Sequence, residues 1–195
     1  MKRTASINRN TTETQINISL DLDGQGDNNV STGIAFFDHM LTLCAVHGFF
    51  DINLAASGDL DVDLHHTVED VGLVLGGAIN KALGDRKGIK RYGHAVTPMD
   101  DALTSVTIDL SKRPFLVYNV PYTINASGIF DIQIAKEFFR AFTINGGMNL
   151  HINVLYGENQ HHILESIFKA TGRALDQASM YDERIKSVLS TKGSL

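Results

Sequence analysis

Cysteine is nearly missing from this chain: there is one, Cys44, in 195 residues. A single thiol excludes an internal disulfide framework and fits a reducing compartment. In the apolar run MLTLCAVHG it reads as packing rather than as a nucleophile, because a free cysteine behaves as a small buried hydrophobe. Long apolar runs are missing too. No segment approaches the roughly 18 apolar residues that suggest a membrane span, and the basic start MKRTASINRNTTETQ is followed by no apolar stretch of the signal-peptide kind. The expectation is a cytoplasmic protein without a membrane partner. Nor is positive charge in excess: 17 Lys and Arg stand against 22 Asp and Glu, a net charge of −5. No general attraction to nucleic acid follows, and a phosphate would have to be held by a local basic cluster. The nucleotide signatures GxxxxGK(S/T) and GxGxxG after a strand are absent as well.

What remains is the composition of an ordinary globular protein, 43% hydrophobic and 20% charged, with an unusual repetition inside it. HHTVED at 65–70 sets two histidines before two acids, and 96 residues later HHILES at 161–166 puts His, His and Glu in the same relative places. The similarity extends outward. ETQINISLDL (13–22) matches DALTSVTIDL (101–110), both alternating like half-buried strands and each opening on an acid, Glu13 or Asp101. FFDHMLTLCAVHG (36–48) and IAKEFFRAFTINGG (134–147) have helical spacing and end on glycine, which favours a left-handed C-cap. FDINLAA (50–56) and MNLHINVLY (148–156) alternate again, and each double-histidine segment then opens a longer amphipathic helix.

The reading is an α+β fold with internally duplicated β-β-α-β-α half-domains, residues 1–92 and 93–195, each too small to be comfortable alone and together forming one compact domain. The N-terminal arm reads as polar. The junction GDRKGIKRYGHAVTPMDD has loop composition, which places His94 in a loop.

On a helix, residues four apart share a face while neighbours point about 100° apart. His65 and Glu69 can therefore chelate one ion and His161 and Glu165 another, leaving His66 and His162 free for a different ion. The shorter helices add His39 and, at the matching position, Glu137. Eight candidate ligands for two ions give four each, with room for water or substrate. Imidazoles mixed with carboxylates and no thiolate suit Mn²⁺, Fe²⁺, Co²⁺ or Zn²⁺. A lone histidine near an apolar helix is usually a satisfied core or surface residue, but nothing in helix packing asks for adjacent histidines twice in register. His47, at the end of the first helix, either caps carbonyls or lines the site.

Phosphate recognition would fall to side chains. Lys169 lies four residues after Glu165 on the same face, where the first copy has Leu73. Arg91 ends the basic junction, Arg113 sits in the SKRP turn between two strands, and STKG at 190–193 brings Ser190 and Lys192 near the chain's end. Together these could clamp a phosphate if the tail folds back or reaches a neighbouring subunit.

The segments FDHML, HGFFDI, HHTVEDVGLVLG, RPFLVYN, EFFRAF, NLHINVLYGENQHHILESIFKATGRAL and STKG make the chain resemble the imidazoleglycerol-phosphate dehydratase family over nearly its whole length. The resemblance implies a ribosomal protein S5 domain 2-like fold with helices packed between two four-stranded sheets. It implies conversion of D-erythro-imidazole-glycerol phosphate to imidazole-acetol phosphate and water in histidine biosynthesis, with two Mn²⁺ ions per active site. It also implies trimers assembled into a 24-subunit shell, with sites between subunits. Carried onto this sequence, it makes His39, His65, His66, Glu69, His161, His162 and Glu165 metal ligands. Glu137, standing where many members have histidine, would be the eighth. Glu13, Arg91, Arg113, Lys169, Ser190 and Lys192 would contact substrate.

The proton such a reaction must remove is barely acidic. Two cations on the imidazole nitrogens would favour imidazolate, whose electrons could expel the hydroxyl through a diazafulvene-like intermediate. Glu13 is the preferred acid/base, with Asp100 or Asp101 as substitutes. Two other readings are a dinuclear metallohydrolase acting on a phosphorylated small molecule and a non-catalytic metal-storage protein. Lys169, Arg91 and Arg113 argue against storage, as does the alternation of strands with helices.

Overall fold

A computed structural model of the chain describes residues 2–121 and 130–195. The first repeat runs β1 (Thr4–Asn10), β2 (Thr14–Asp21), β3 (Asn28–Ser31), α1 (Ala35–Gly48), β4 (Asp51–Gly58) and α2 (His65–Leu83). The second repeats it as β5 (Tyr92–Met99), β6 (Ala102–Asp109), β7 (Phe115–Asn119), α3 (Ile132–Gly146), β8 (Asn149–Tyr156) and α4 (Gln160–Ser179). Each repeat makes a four-stranded sheet of identical order, β1-β2-β4-β3 and β5-β6-β8-β7. The short β3 and β7 pair in parallel with β4 and β8, and all other neighbours are antiparallel. The duplicated α+β architecture is as the sequence indicates and the two four-stranded sheets are as the resemblance implies, but each half runs β-β-β-α-β-α, one strand more before its first helix than the β-β-α-β-α pattern read from the sequence.

The helices are shared between the repeats. α2 lies on β1 and β2 and α4 on β5 and β6, while α1 packs against α4 and α3 against α2. These crossings are close because glycines line them. A Cβ at Gly172 would sit 2.3 Å from the Cys44 carbonyl oxygen, and one at Gly76 would sit 2.4 Å from that of Phe142. One contiguous cluster of buried apolar residues results, running from Ala5 to Ala178 and including Cys44. Burial pushes the Cys44 thiol up to about 12, consistent with a packing role. No helix among the described residues is long and apolar enough to cross a membrane.

Three local expectations also need correction. The polar N-terminal arm is strand β1, and its inward positions are Ala5, Ile7 and Arg9, so an arginine occupies what a sequence reading takes for the polar face. The junction holds strand β5, whose inward positions are the small or modest Gly93, Ala95, Thr97 and Met99, whereas Tyr92 and Val96 face outward. α4 demands this, since a Cβ at Gly93 would sit 1.8 Å from the Ala174 carbonyl oxygen. Pro98 is tolerated because β5 is an edge strand. His94 is therefore on a strand, with Nε2 3.1 Å from Ser105 Oγ. Finally, Gly147 takes the left-handed cap of α3, but α1 runs through Gly48 and gives that conformation to Phe49, φ 55°. Gly48 is needed for packing, because a Cβ there would lie 2.3 Å from the Phe50 ring.

Candidate active site

Asn159 caps α4, its side chain accepting the His161 N–H at 2.9 Å. The first turns of the helix then present His161 and Glu165 on one face. His161 Nε2 lies 2.9 Å from Glu165 Oε1, and His39 Nε2, arriving from α1, lies 3.2 Å from the same oxygen. Lys169 Nζ donates to the other oxygen, Oε2, at 2.6 Å and contacts Met99 Sδ at 3.2 Å. Glu165 is 6% exposed, while the two imidazoles remain about half open to solvent. Burial pushes the Glu165 carboxyl up, but hydrogen bonds from Lys169, His161 and His39 outweigh it and hold its pKa at about 2. An ionised carboxylate thus meets two imidazole nitrogens, with ligand atoms all within 4.8 Å of one another. That donor set fits a divalent cation of the Mn²⁺ or Zn²⁺ kind.

The second histidine of each pair is held from behind by an aspartate. His66 Nδ1 lies 3.0 Å from Asp59 Oδ2, and His162 Nδ1 lies 2.5 Å from Asp101 Oδ1. A carboxylate on Nδ1 orients the ring and keeps Nε2 as the nitrogen able to ligate, the usual arrangement behind a metal-ligating histidine. The affinity of His66 for a proton is raised, chiefly by the Asp59 hydrogen bond and further by the Glu13 charge. His65 Nε2 is 3.4 Å from Glu69 Oε2. On α3, Glu137 lies 3.3 Å from Arg140. Among the described residues, His39, His161 and Glu165 are the only group of three donors that converges. The eight expected ligands are thus brought together in part: three meet, His65 and Glu69 pair, His66 and His162 are each oriented, and Glu137 faces an arginine.

Asp101 is fully occupied. Its Oδ1 faces His162 and its Oδ2 accepts the N–H groups of Glu158 and Asn159 at 2.7 and 3.0 Å. These bonds, that to His162 foremost, hold it well below the usual carboxylate range. As a substitute proton carrier it is a poor fit, and its geometry is that of a residue positioning His162. Asp100, at φ 46°, is exposed with Oδ2 3.6 Å from His162 Nε2. Glu13 is an exposed carboxylate at the tip of the β1–β2 hairpin.

The tail does fold back within the chain. Lys90 N–H donates to Met180 O, Asp182 N–H to Gly88 O, and Gly88 N–H to Ser187 O. Between tail and sheet lies a pocket of about 910 Å³, lined among others by Arg91, Arg113, Ser190 and Lys192. Four of the six expected substrate contacts therefore share one cavity, with Lys169 in the Glu165 cluster and Glu13 by the His66 side. Arg91 is largely committed: its guanidinium grips Asp109 at 2.6 and 3.0 Å and donates to Leu189 O at 2.6 Å. The sequence reading missed Lys112, Arg184 and Lys186 in the same lining. It missed Asp59 too, since SGDLDVDLHH offers three aspartates and nothing in spacing chooses among them.

Fold and site together describe a duplicated α+β enzyme chain with a histidine–carboxylate cluster where its paired helices begin and a cationic pocket by its tail. The family described as imidazoleglycerol-phosphate dehydratase matches residues 32–175. The imidazoleglycerol-phosphate dehydratase of Desulfosudis oleivorans is 63% identical over 195 residues, covering all of both chains. That of Syntrophobacter fumaroxidans is 59% identical over 194 residues, covering 100% of this chain and 98% of the relative. A crystal structure of the Staphylococcus aureus enzyme superposes with a TM-score of 0.82 at 38% identity, covering 92% of this chain and 99% of the other. One from Pyrococcus furiosus, in complex with (S)-C348, gives 0.84 at 35% identity, covering 97% and 100%. The chain belongs to the imidazoleglycerol-phosphate dehydratase family, and with it to the hydro-lyases of histidine biosynthesis.

Proposed function

We propose that this chain dehydrates D-erythro-imidazole-glycerol phosphate to imidazole-acetol phosphate with two Mn²⁺ ions in each active site. The observation that carries the reading is the approach of His39 and His161 to one ionised oxygen of Glu165, with Lys169 on the other. His65, His66, Glu69, Glu137 and His162 complete the ligand set. Held by these residues, the ions would supply Lewis-acid chemistry at the substrate's imidazole. Because the donors are spread over several groups in one copy, a second copy would complete each site. This supports a homo-oligomer; trimers within a 24-subunit shell and a cytoplasmic location are part of the same reading on the family resemblance. The halves 1–92 and 93–195 act as one catalytic unit.

The chain's own residues then bind, orient and move protons. Arg113, Ser190, Lys192 and the unused donors of Arg91 hold the phosphate, and Lys169 sits beside the cluster as the cation nearest the reacting groups. Net loss of water breaks the C–O bond next to the imidazole and a C–H bond on the neighbouring carbon. The resulting enol becomes the ketone by taking a proton at the first carbon and giving up the proton of its hydroxyl. Glu13 carries these protons in this reading, with Asp100 as the remaining substitute, because Asp101 is spent on His162. The test is turnover by metal-stripped protein before and after adding Mn²⁺, with assembly size recorded in the same samples. Turnover that returns with Mn²⁺ is expected. No turnover in remetallated, assembled protein, or release of inorganic phosphate in place of ketone, would overturn the reading.

A further inference from the structure

We infer that Asp70 is a positioning residue that fastens the β1–β2 hairpin to α2 so that Glu13 is presented beside His66; the inference rests on the proposed role of Glu13. The turn's own bonds set its shape. Thr11 Oγ1 accepts the N–H groups of Glu13 and Thr14 at 3.2 and 3.0 Å, and Thr11 N–H donates to Thr14 O at 2.9 Å. They do not set where the turn lies against the helix.

Asp70 does that from both sides of the turn. Arg9, leaving β1, donates through Nη2 to Asp70 Oδ1 at 2.9 Å, and Thr14, opening β2, donates through Oγ1 to Asp70 Oδ2 at 2.5 Å. The grip is sheltered, with Thr14 2% exposed and the Asp70 side chain 13%. Asp70 follows Glu69 directly and lies four residues after His66, on the same helical face. Fastening the strands at this point delivers Glu13 to the end of α2 that carries the histidines. The fit there is tight, since a Cβ at Gly58 would lie 2.0 Å from Thr67 Oγ1 and 3.4 Å from Thr14 Cγ2.

The second repeat shows why the clamp is needed in only one copy. There Ser166 takes the place of Asp70 and shares a 2.6 Å hydroxyl contact with Thr104, with no carboxylate or arginine among the described residues bonded to it. Its hairpin acid, Asp101, grips His162 directly and is fixed by that bond. In the first repeat Asp59 has taken over the corresponding histidine. The hairpin acid Glu13 is therefore left unbound to histidine, and its placement falls to Asp70, Thr14 and Arg9.

The experiment compares Thr14→Val, which removes the hydroxyl at nearly constant size, with Thr14→Ser, which keeps it, each in the wild-type and Glu13→Gln backgrounds. Readouts are kcat, KM, bound Mn²⁺ and assembly size. Thr14→Val is expected to lower kcat about tenfold or more, the scale of a misplaced catalytic group, with KM and Mn²⁺ content unchanged, and Thr14→Ser to restore most of it. On top of Glu13→Gln, Thr14→Val should add less than about twofold, because the two act through one group. An equal loss in both backgrounds, or a loss accompanied by loss of metal, would show a merely structural contact and overturn the inference. A large effect of Glu13→Gln with none of Thr14→Val sinks the positioning role alone. An inert Glu13→Gln removes the Glu13 reading and the inference with it.

Discussion

Lys169 and Glu165 are joined by a 2.6 Å contact one helical turn apart on α4, and the far oxygen of the same carboxylate faces His39 and His161. A fixed ammonium therefore stands where it repels any cation bound by the cluster. Replacing Lys169 by Met should tighten Mn²⁺ binding while lowering turnover. Removing about 1.4 kcal/mol of repulsion corresponds to tenfold in affinity, a modest share of what charges a few ångströms apart exert near a protein surface. Competition against a fluorescent chelator measures the first effect and ketone formation the second. Weaker metal binding in Lys169→Met would mean that the lysine supports the site rather than opposing it.

Adjacent glycines on α2 should behave oppositely. A Cβ at Gly76 meets the Phe142 carbonyl oxygen, a backbone atom, at 2.4 Å, whereas one at Gly77 meets only the end of the Ile7 side chain at 3.3 Å. Helix propensity favours alanine at both by up to about 1 kcal/mol. At Gly76 the overpacking cost, about 1–3 kcal/mol or more, wins. Gly76→Ala should lower the midpoint of urea unfolding and Gly77→Ala should leave it level or raise it.

These glycines mark the boundary of what the sequence discloses. All four helices are legible within one or two residues, because an apolar stripe at 3.6-residue spacing reports its own geometry. The double-histidine pattern is legible because it recurs in register. β1 and β5 are not, since the inward face of one contains Arg9 and that of the other is pared down by the nearness of α4. The same holds within the site. His161, Glu165 and Lys169 share a helix and can be predicted from spacing. The bonds of Asp101 to His162 and of Asp70 to Thr14 and Arg9 join elements more than 50 residues apart, and no local pattern records them.

Arg86 is a further long-range bond with a measurable consequence. It is fully buried, and its guanidinium donates to the carbonyls of Gly146 and Gly147 at 2.8 Å each and to Asn80 Oδ1 at 2.6 Å. It closes the end of α3 from outside the helix, where carbonyls have no partner of their own. Burial lowers its pKa to about 10, so it stays charged at neutral pH. Arg86→Met strands the carbonyls, at a cost on the order of 3 kcal/mol. Thermal unfolding should fall accordingly while activity per folded molecule is kept.

Asp51, at the start of β4, gives a stability effect whose size depends on pH. Its Oδ1 accepts three successive N–H groups, from Gln25, Gly26 and Asp27, at 2.8, 3.2 and 3.0 Å, and these bonds, that from Gln25 foremost, lower its pKa. Because the folded value lies below the unfolded one, near 3.9 for aspartate, the ionised group stabilises the fold fully above about pH 5. That contribution is lost as pH falls toward the folded value. Asp51→Asn keeps an acceptor of similar shape without the charge, so the variant should be less stable than the parent by on the order of 1 kcal/mol at pH 7. The gap should narrow as the pH is lowered through 4 toward 3. Urea unfolding of both proteins across that range checks it. A gap that stays constant into acid would show that the three N–H groups respond to the oxygen's shape rather than to its charge.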